Sequence, residues 1–248
     1  MSIRVAVIGA KGRMGSHAVD AINDADGLEL VAALGSSDSL ETLLEQNIDV
    51  AVELTVPKST EENVTFLVEN GVDTVVGTTG WDNDRLARLE GTLKDHPKTA
   101  VLIAPNFSIG AVLAMRFAEL AAPYFDSAEV VETHHTRKLD APSGTANHTA
   151  QRIAAARDAA GLPAVPDSTE SDPLGARGAV IDGIHVHAIR QQGMNAHEEI
   201  HFGSDGEALT IRTDSHSTSA FMPGIVTAVR SIADYTGLIH GLENILDL

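Results

Sequence analysis

The chain has 248 residues, enough for one large or two smaller domains with a sizeable core. Thirty-five Asp and Glu stand against 17 Lys and Arg, a formal charge of −18, which argues against nucleic acid as a partner. It has no Cys, which excludes disulfides and thiolate metal sites, and the apolar run before Gly9 is too short for a signal peptide or a membrane span, so the expected setting is cytoplasmic, with no membrane partner.

In chain order, the first half alternates two textures. Ile3–Ala10 (IRVAVIGA) is a β-branched run suited to a buried strand, and 14–27 has helix spacing that stops on a glycine. Leu28–Leu34 predicts a second strand, 39–47 a short helix, and Ile48–Pro57 a third strand stopped by proline. A helix follows with Ser59 or Thr60 as its cap, and two more strands in 72–80 and 99–107 flank a helix over 82–94. This alternation predicts a Rossmann-like, doubly wound parallel sheet. After Phe107 the texture changes. A long helix over 109–125, a strand over 128–135 and a helix over 145–161 precede an irregular loop over 162–175. Three strands (183–191, 196–204, 207–215) then predict a meander, and 222–237 a closing helix. The plan is a dinucleotide-binding domain over 1–107 and 217–248. An inserted α+β domain with an open mixed sheet spans 108–216.

Gly9, Gly12 and Gly15 form a G-x-x-G-x-x-G turn between a strand and a helix. Such a turn brings backbone amides and a helix N-terminus to a pyrophosphate. The second strand ends in Gly35, Ser36 and Ser37, where an acidic reader of the NAD ribose is expected, and Asp38 lies slightly late. Lys11 and Arg13 stand in the turn and suit a 2′-phosphate, so the cofactor is NADPH or NADH, with a lean to NADPH or dual use. Further ligand positions at strand ends are Gly77, Thr78 and Thr79, and Ala104, Pro105, Asn106 and Phe107. Asn106 suits a carboxamide and Phe107 a wall.

The stretch Thr133–Ala146, THHTRKLDAPSGTA, gathers imidazoles and cations in an acidic chain. At a strand end His134 and His135 point to opposite faces, so they do not chelate one metal together. A histidine exchanges protons near neutral pH, and Lys138 suits a carboxylate or an imine nitrogen. The amides of Gly144 and Thr145, with the hydroxyls of Ser143 and Thr145, suit an anion at a helix start. From the residues alone, a polar strand end that merely caps a helix remains equally open.

Four segments in this order, VIGAKGRMG, VVGTTGW, LIAPNFSIG and above all ETHHTRKLDAPSGTA, closely resemble the 4-hydroxy-tetrahydrodipicolinate reductase (dihydrodipicolinate reductase) family, over nearly the whole length. The resemblance implies an NAD(P)H-dependent oxidoreductase of the diaminopimelate route of lysine biosynthesis, usually a homotetramer joined through the sheets of its inserted domain. It puts the proton donor at His134, its partner in acid catalysis and substrate binding at Lys138, and substrate contacts at His135, Gly144 and Thr145. The glycine turn falls on Gly9, Ala10, Lys11, Gly12, Arg13 and Met14. A domain closure about Phe107 and about 213–219 would bring cofactor and dicarboxylate substrate together. Where the family commonly reads D-F-T-x-P this chain has Glu53–Pro57, ELTVP, and 214–224 matches only loosely, so His216 takes no role. Two further readings stay open: a non-catalytic NAD(P)-sensing module, and a nicotinamide reductase of another small amino-acid precursor. His185 and His187, with His197 and His201 on the expected neighbouring strand, are sheet-face or interface positions before they are a zinc site; no metal is expected.

Overall fold

A computed structural model describes residues 2–246. In chain order these form β1 (Ile3–Ile8), α1 (Arg13–Asp24), β2 (Leu28–Leu34), β3 (Val50–Glu53), α2 (Thr60–Glu69), β4 (Asp73–Val76), α3 (Asn83–Asp95), β5 (Ala100–Ile103) and α4 (Ile109–Ala121). Then come β6 (Ser127–His134), α5 (Gly144–Ala159), β7 (Ala179–Ile181), β8 (Ile184–Arg190), β9 (Ala196–Ser204), β10 (Glu207–Ser215), α6 (Met222–Ser231) and β11 (Gly237–His240). Short 3₁₀ turns cover Leu40–Glu45, where the sequence predicts a helix, and Ala122–Tyr124, where Pro123 ends α4 early. The chain divides into two compact units, one comprising residues up to Ser108 and again from Thr218, the other Ile109–Ser217.

The first unit holds a six-stranded parallel sheet in the order β11-β5-β4-β3-β1-β2. Its central strands are apolar on both faces, as a sheet covered on both sides requires: Val5, Ala6, Val7, Val50, Ala51 and Val52 are all buried. Leu67 of α2 and Leu89 and Leu93 of α3 fill one face, and α1 and α6 cover the other. β3 is shorter than the apolar run around it. The Asp49 carboxylate takes the Arg4 amide at 2.8 Å before it, and the Glu53 side chain turns in to bind the start of α2 after it. The closing helix predicted over 222–237 stops at Ser231, and β11, which the sequence reading does not include, begins at Gly237, where φ is +77°, and pairs with β5 at the sheet edge.

The second unit holds a five-stranded mixed sheet, β10-β9-β6-β8-β7. It is not the expected meander. β6 runs between β8 and β9, parallel to the first and antiparallel to the second, so β8 and β9 do not pair. A meander reads consecutive strands as neighbours, a rule that an earlier strand can displace by insertion. The side chains alternate. Ala128 and Val130 of β6, Ile184 and Val186 of β8, and Ile200 and Phe202 of β9 face α4 and α5, packing on Ala114, Ala118, Ala150 and Ile153. Each of these apolar rows changes to charged residues toward the same end, and that change locates the site.

Candidate active site

In the first unit the carboxyl ends of β1, β3, β4 and β5 share one edge. The chain leaves β1 for β2 on one side and returns to β3 on the other, so the cleft beside β1 and β3 is a topological switch point. A cleft of about 800 Å³ opens there, lined among others by Gly9, Lys11, Gly12, Asp38, Thr55 and Lys58. The glycine turn is packed backbone against backbone. Gly9 has φ +85°, and a Cβ on it would meet the Leu54 carbonyl oxygen at 2.4 Å; one on Gly15 would meet the Gly9 carbonyl oxygen at 2.0 Å. Gly12 caps α1 with no side chain over its first amides. These residues fit the pyrophosphate of a dinucleotide. Ala10 gives its amide to Leu34 at 2.9 Å, and Arg13 and Met14 open α1.

Asp38 lies just beyond the end of β2. Its side chain folds back, accepts the Gly35 amide at 2.7 Å and lies 3.8 Å from the Lys11 ammonium, on the cleft wall. Gly77 is wedged between Leu54 and the Phe107 ring, which a Cβ would meet at 2.6 and 2.9 Å. Thr78 is buried with its hydroxyl unpartnered, while Thr79 and Pro105 are exposed. Ala104 and Phe107 are buried, and the Phe107 carbonyl lies against Gly224 of α6, so Phe107 is part of the core. Asn106 closes its own turn, its Oδ1 accepting the Ser108 amide at 2.8 Å.

In the second unit, His134 ends β6. Its Nδ1 lies 2.5 Å from Oε2 of Glu132, two residues back on the same face. Glu132 is fully buried. Arg190, at the end of β8, meets both Glu132 oxygens at 2.8 and 2.9 Å and also donates to the Asp140 carbonyl at 2.7 Å. The Ser143 amide reaches Glu132 Oε1 at 3.1 Å. Burial pushes the Glu132 carboxyl up, but the hydrogen bonds from His134 and Arg190 outweigh it and hold the group at about 2. An ionised Glu132 accepts, so the His134 Nδ1–H donates.

The turn beyond β6 is folded onto this network. Nδ1 of His135 accepts the Arg137 amide at 3.2 Å. The Lys138 ammonium holds both oxygens of Asp140, at 2.8 and 3.0 Å, and lowers that carboxyl. The Ala141–Pro142 bond is cis. Ser143 is buried, and its hydroxyl accepts the Ala146 amide at 3.1 Å as the N-cap of α5. It is thus spent on the helix, which departs from the hydroxyl contact to an anion that the sequence suggests. Gly144 and Thr145 are the first two residues of α5, where amides point outward along the axis.

The other histidines include two separate pairs, His185 stacked on His187 with ring centroids 6.4 Å apart and His197 edge-on to His216 at 5.5 Å. His185 and His187 face Asp167 and Glu129, at 3.2 and 2.7 Å, while His197 binds Asp214 at 2.6 Å on a strand that β6 separates from them. Among the described residues no three His, Asp or Glu are grouped to hold a metal ion. No helix among them is long and apolar enough to cross a membrane.

Family models described as dihydrodipicolinate reductase, N-terminus and C-terminus, match residues 3–107 and 110–246. The chain belongs to the dihydrodipicolinate reductase family. It is 57% identical to the 4-hydroxy-tetrahydrodipicolinate reductase of Streptomyces avermitilis, over 99% of this chain and 98% of that one. It is also 57% identical to that of Beutenbergia cavernae over the full length of both. A solved dihydrodipicolinate reductase from Paenisporosarcina sp. TG-14, described as dipicolinate-bound, superposes with a TM-score of 0.89 at 38% identity, covering 99% of this chain and 100% of its own. A scyllo-inositol dehydrogenase from Lactobacillus casei, at 11% identity, 99% and 92% coverage and a TM-score of 0.63, shares the fold. As a dihydrodipicolinate reductase the chain is an oxidoreductase, and the family's Rossmann-type unit implies a nicotinamide cofactor. Glu132 and Arg190 beside His134, and Lys58 on the cleft wall, are positions that motif reading passed over. For Glu132 the signal was present: period-two alternation puts it on the same face as His134.

Proposed function

We propose that the chain reduces 4-hydroxy-tetrahydrodipicolinate to tetrahydrodipicolinate with NADPH or NADH, in the cytoplasmic diaminopimelate route to lysine. What supports this most directly is the hydrogen-bonded unit of Glu132 and Arg190, which ties His134, the Lys138–Asp140 turn and the start of α5 together. One dinucleotide-binding unit and one substrate-binding unit divide the work, with the crossings near Ser108 and Ser217 as hinges. A homotetramer joined through the mixed sheet completes the reading.

The Gly9–Gly12 turn and the start of α1 hold the cofactor's pyrophosphate, and Gly77 and the 104–107 turn flank its nicotinamide side. When bound, the reduced nicotinamide supplies the hydride. Lys138 exchanges Asp140 for a substrate carboxylate, and His135 and the amides of Gly144 and Thr145 grip the dicarboxylate. With Nδ1–H committed to Glu132, His134 gives the Nε2 proton of its doubly protonated ring to the atom that gains charge as hydride arrives, and is left as the neutral Nδ1–H tautomer. Asp38 suits the hydroxyls of the adenosine ribose and Lys11 a 2′-phosphate, which favours use of both cofactors. Steady-state oxidation of NADH and NADPH with freshly generated substrate tests the reading. His134→Gln and Lys138→Ala each lower kcat by about 10²-fold or more with cofactor affinity nearly kept. An unaltered kcat in both variants, or no turnover in the parent, refutes it.

A further inference from the structure

The Glu132 carboxylate has no room for substrate. Its Oε2 takes His134 Nδ1 at 2.5 Å and Arg190 Nη1 at 2.8 Å; its Oε1 takes Arg190 Nη2 at 2.9 Å and the Ser143 amide at 3.1 Å. Four donors occupy its four acceptor directions, and the side chain is fully buried. Arg190 is itself committed, with bonds to the carbonyls of Ile189 at 2.8 Å and Asp140 at 2.7 Å. The fork can hold Glu132 in only one plane, and a bidentate pair fixes that plane better than a point charge does. An imidazole hydrogen-bonded at one nitrogen by a fixed carboxylate is set in tautomer and in tilt.

We propose that Glu132, clamped by Arg190, is the positioning residue of the active site: it fixes His134 as the Nδ1–H tautomer and aims Nε2 at the substrate. This rests on His134 being the proton donor. The same unit carries the loop, because Arg190 and Ser143 bring the Lys138–Asp140 turn and the α5 start to the carboxylate that orients the imidazole. The cross-strand neighbour Glu198 shares the covered face and is the nearer alternative anion. Its Oε1 is taken by the Thr149 hydroxyl at 2.8 Å, on α5, whereas the bond to the His134 ring comes from Glu132. Arg190, the register partner of His134 on β8, spends its guanidinium on Glu132.

The test uses the full chain and three variants, Glu132→Gln, Glu132→Asp and His134→Gln, with kcat, KM and the ¹⁵N NMR signals of the His134 ring at a pH high enough to deprotonate it. An amide NH₂ set beside Nδ1 favours the opposite tautomer. Glu132→Gln is expected to lower kcat by about 10²-fold or more with KM changed less than about 3-fold, and to move the ring proton to Nε2. Glu132→Asp keeps the acceptor and is expected to recover at least about 10-fold of that loss with the proton back on Nδ1. A wild-type ring with its proton on Nε2 overturns the proposal without any variant, so a Gln variant that fails to fold does not shelter it. So does a Gln variant that keeps kcat within about 3-fold while His134→Gln loses it. If His134→Gln itself keeps kcat, it is the proton-donor reading that fails.

Discussion

Glu132 of β6 and Glu198 of β9 stand directly opposite each other in an antiparallel pair, on the face of the sheet that α5 covers. Two buried carboxylates at that spacing do not both ionise at low cost. The pair splits: His134 and Arg190 hold Glu132 at about 2, whereas burial and then the neighbouring Glu132 charge push Glu198 up to about 7 against the single hydrogen bond from Thr149. One oxygen of Glu198 has no partner, as suits a neutral acid.

The pH dependence of stability follows with opposite signs. Glu198, raised above its ordinary 4.5, adds stability that is lost as pH climbs from about 4.5 through about 7. Glu132, lowered to about 2, adds stability that is lost as pH falls from about 4.5 toward 2. The pair is therefore most favourable near pH 4.5 to 5. Glu198→Gln removes the upper limb. Urea unfolding at pH 5 and pH 8 is expected to show wild type losing on the order of 3 kcal/mol relative to that variant between the two. Parallel pH profiles for the two proteins would mean that Glu198 is charged in the fold.

Cofactor choice is expected to turn on Lys11 and Asp38, 3.8 Å apart on the cleft wall. Lys11→Ala raises KM for NADPH about 10-fold and leaves NADH nearly unchanged, since a phosphate loses a charge-assisted partner and a ribose hydroxyl does not. Asp38→Asn does the reverse. Equal changes for both cofactors in either variant would separate this cleft from the adenosine end.

Gly15 tolerates no side chain. The Cβ of Gly15→Ala would lie 2.0 Å from the Gly9 carbonyl oxygen, backbone against backbone, so the turn must move away from α1. Expected are a loss of about 1–3 kcal/mol in stability and at least about 10-fold in dinucleotide affinity, read by thermal melting and by titration with the oxidised cofactor. Gly91→Ala is the control, because a Cβ there meets nothing within 4 Å.

Glu53, in the segment ELTVP, is structural. It is fully buried and accepts from Thr55, from Thr60 at 2.7 Å and from Asn63 at 3.1 Å, pinning the start of α2 to the end of β3. Glu53→Ala strands the Thr60 hydroxyl, itself fully buried, and is expected to cost about 1–3 kcal/mol in denaturant unfolding.

The parallel sheet was legible because its signals are local: β-branched runs such as Ile3–Ile8 and a glycine turn at the first strand end. The order of the mixed sheet was not, because nothing in 183–215 says that a strand made fifty residues earlier will enter between two of its members. Of the site, the residues that sit in one short segment, His134 to Thr145, could be read from it. Arg190 could not, and Asp38 could be noted only as lying late. Arg190 reaches the site only through parallel pairing of β6 with β8, and Asp38 only by folding its side chain back over the turn onto Gly35. Ser143 was half readable: a serine before a helix is a cap as readily as an anion contact, and burial decides for the cap.

Strand β11 joins the edge of the first sheet from residues 237–240, beyond everything that builds the second unit. On the ribosome, the inserted unit therefore has its complete complement of strands and helices while its host still lacks α6 and one edge strand. Until those arrive, β5 presents an unsatisfied backbone edge and the host sheet has one face only partly covered. The nascent chain is then expected to be most aggregation-prone just before its last segment emerges.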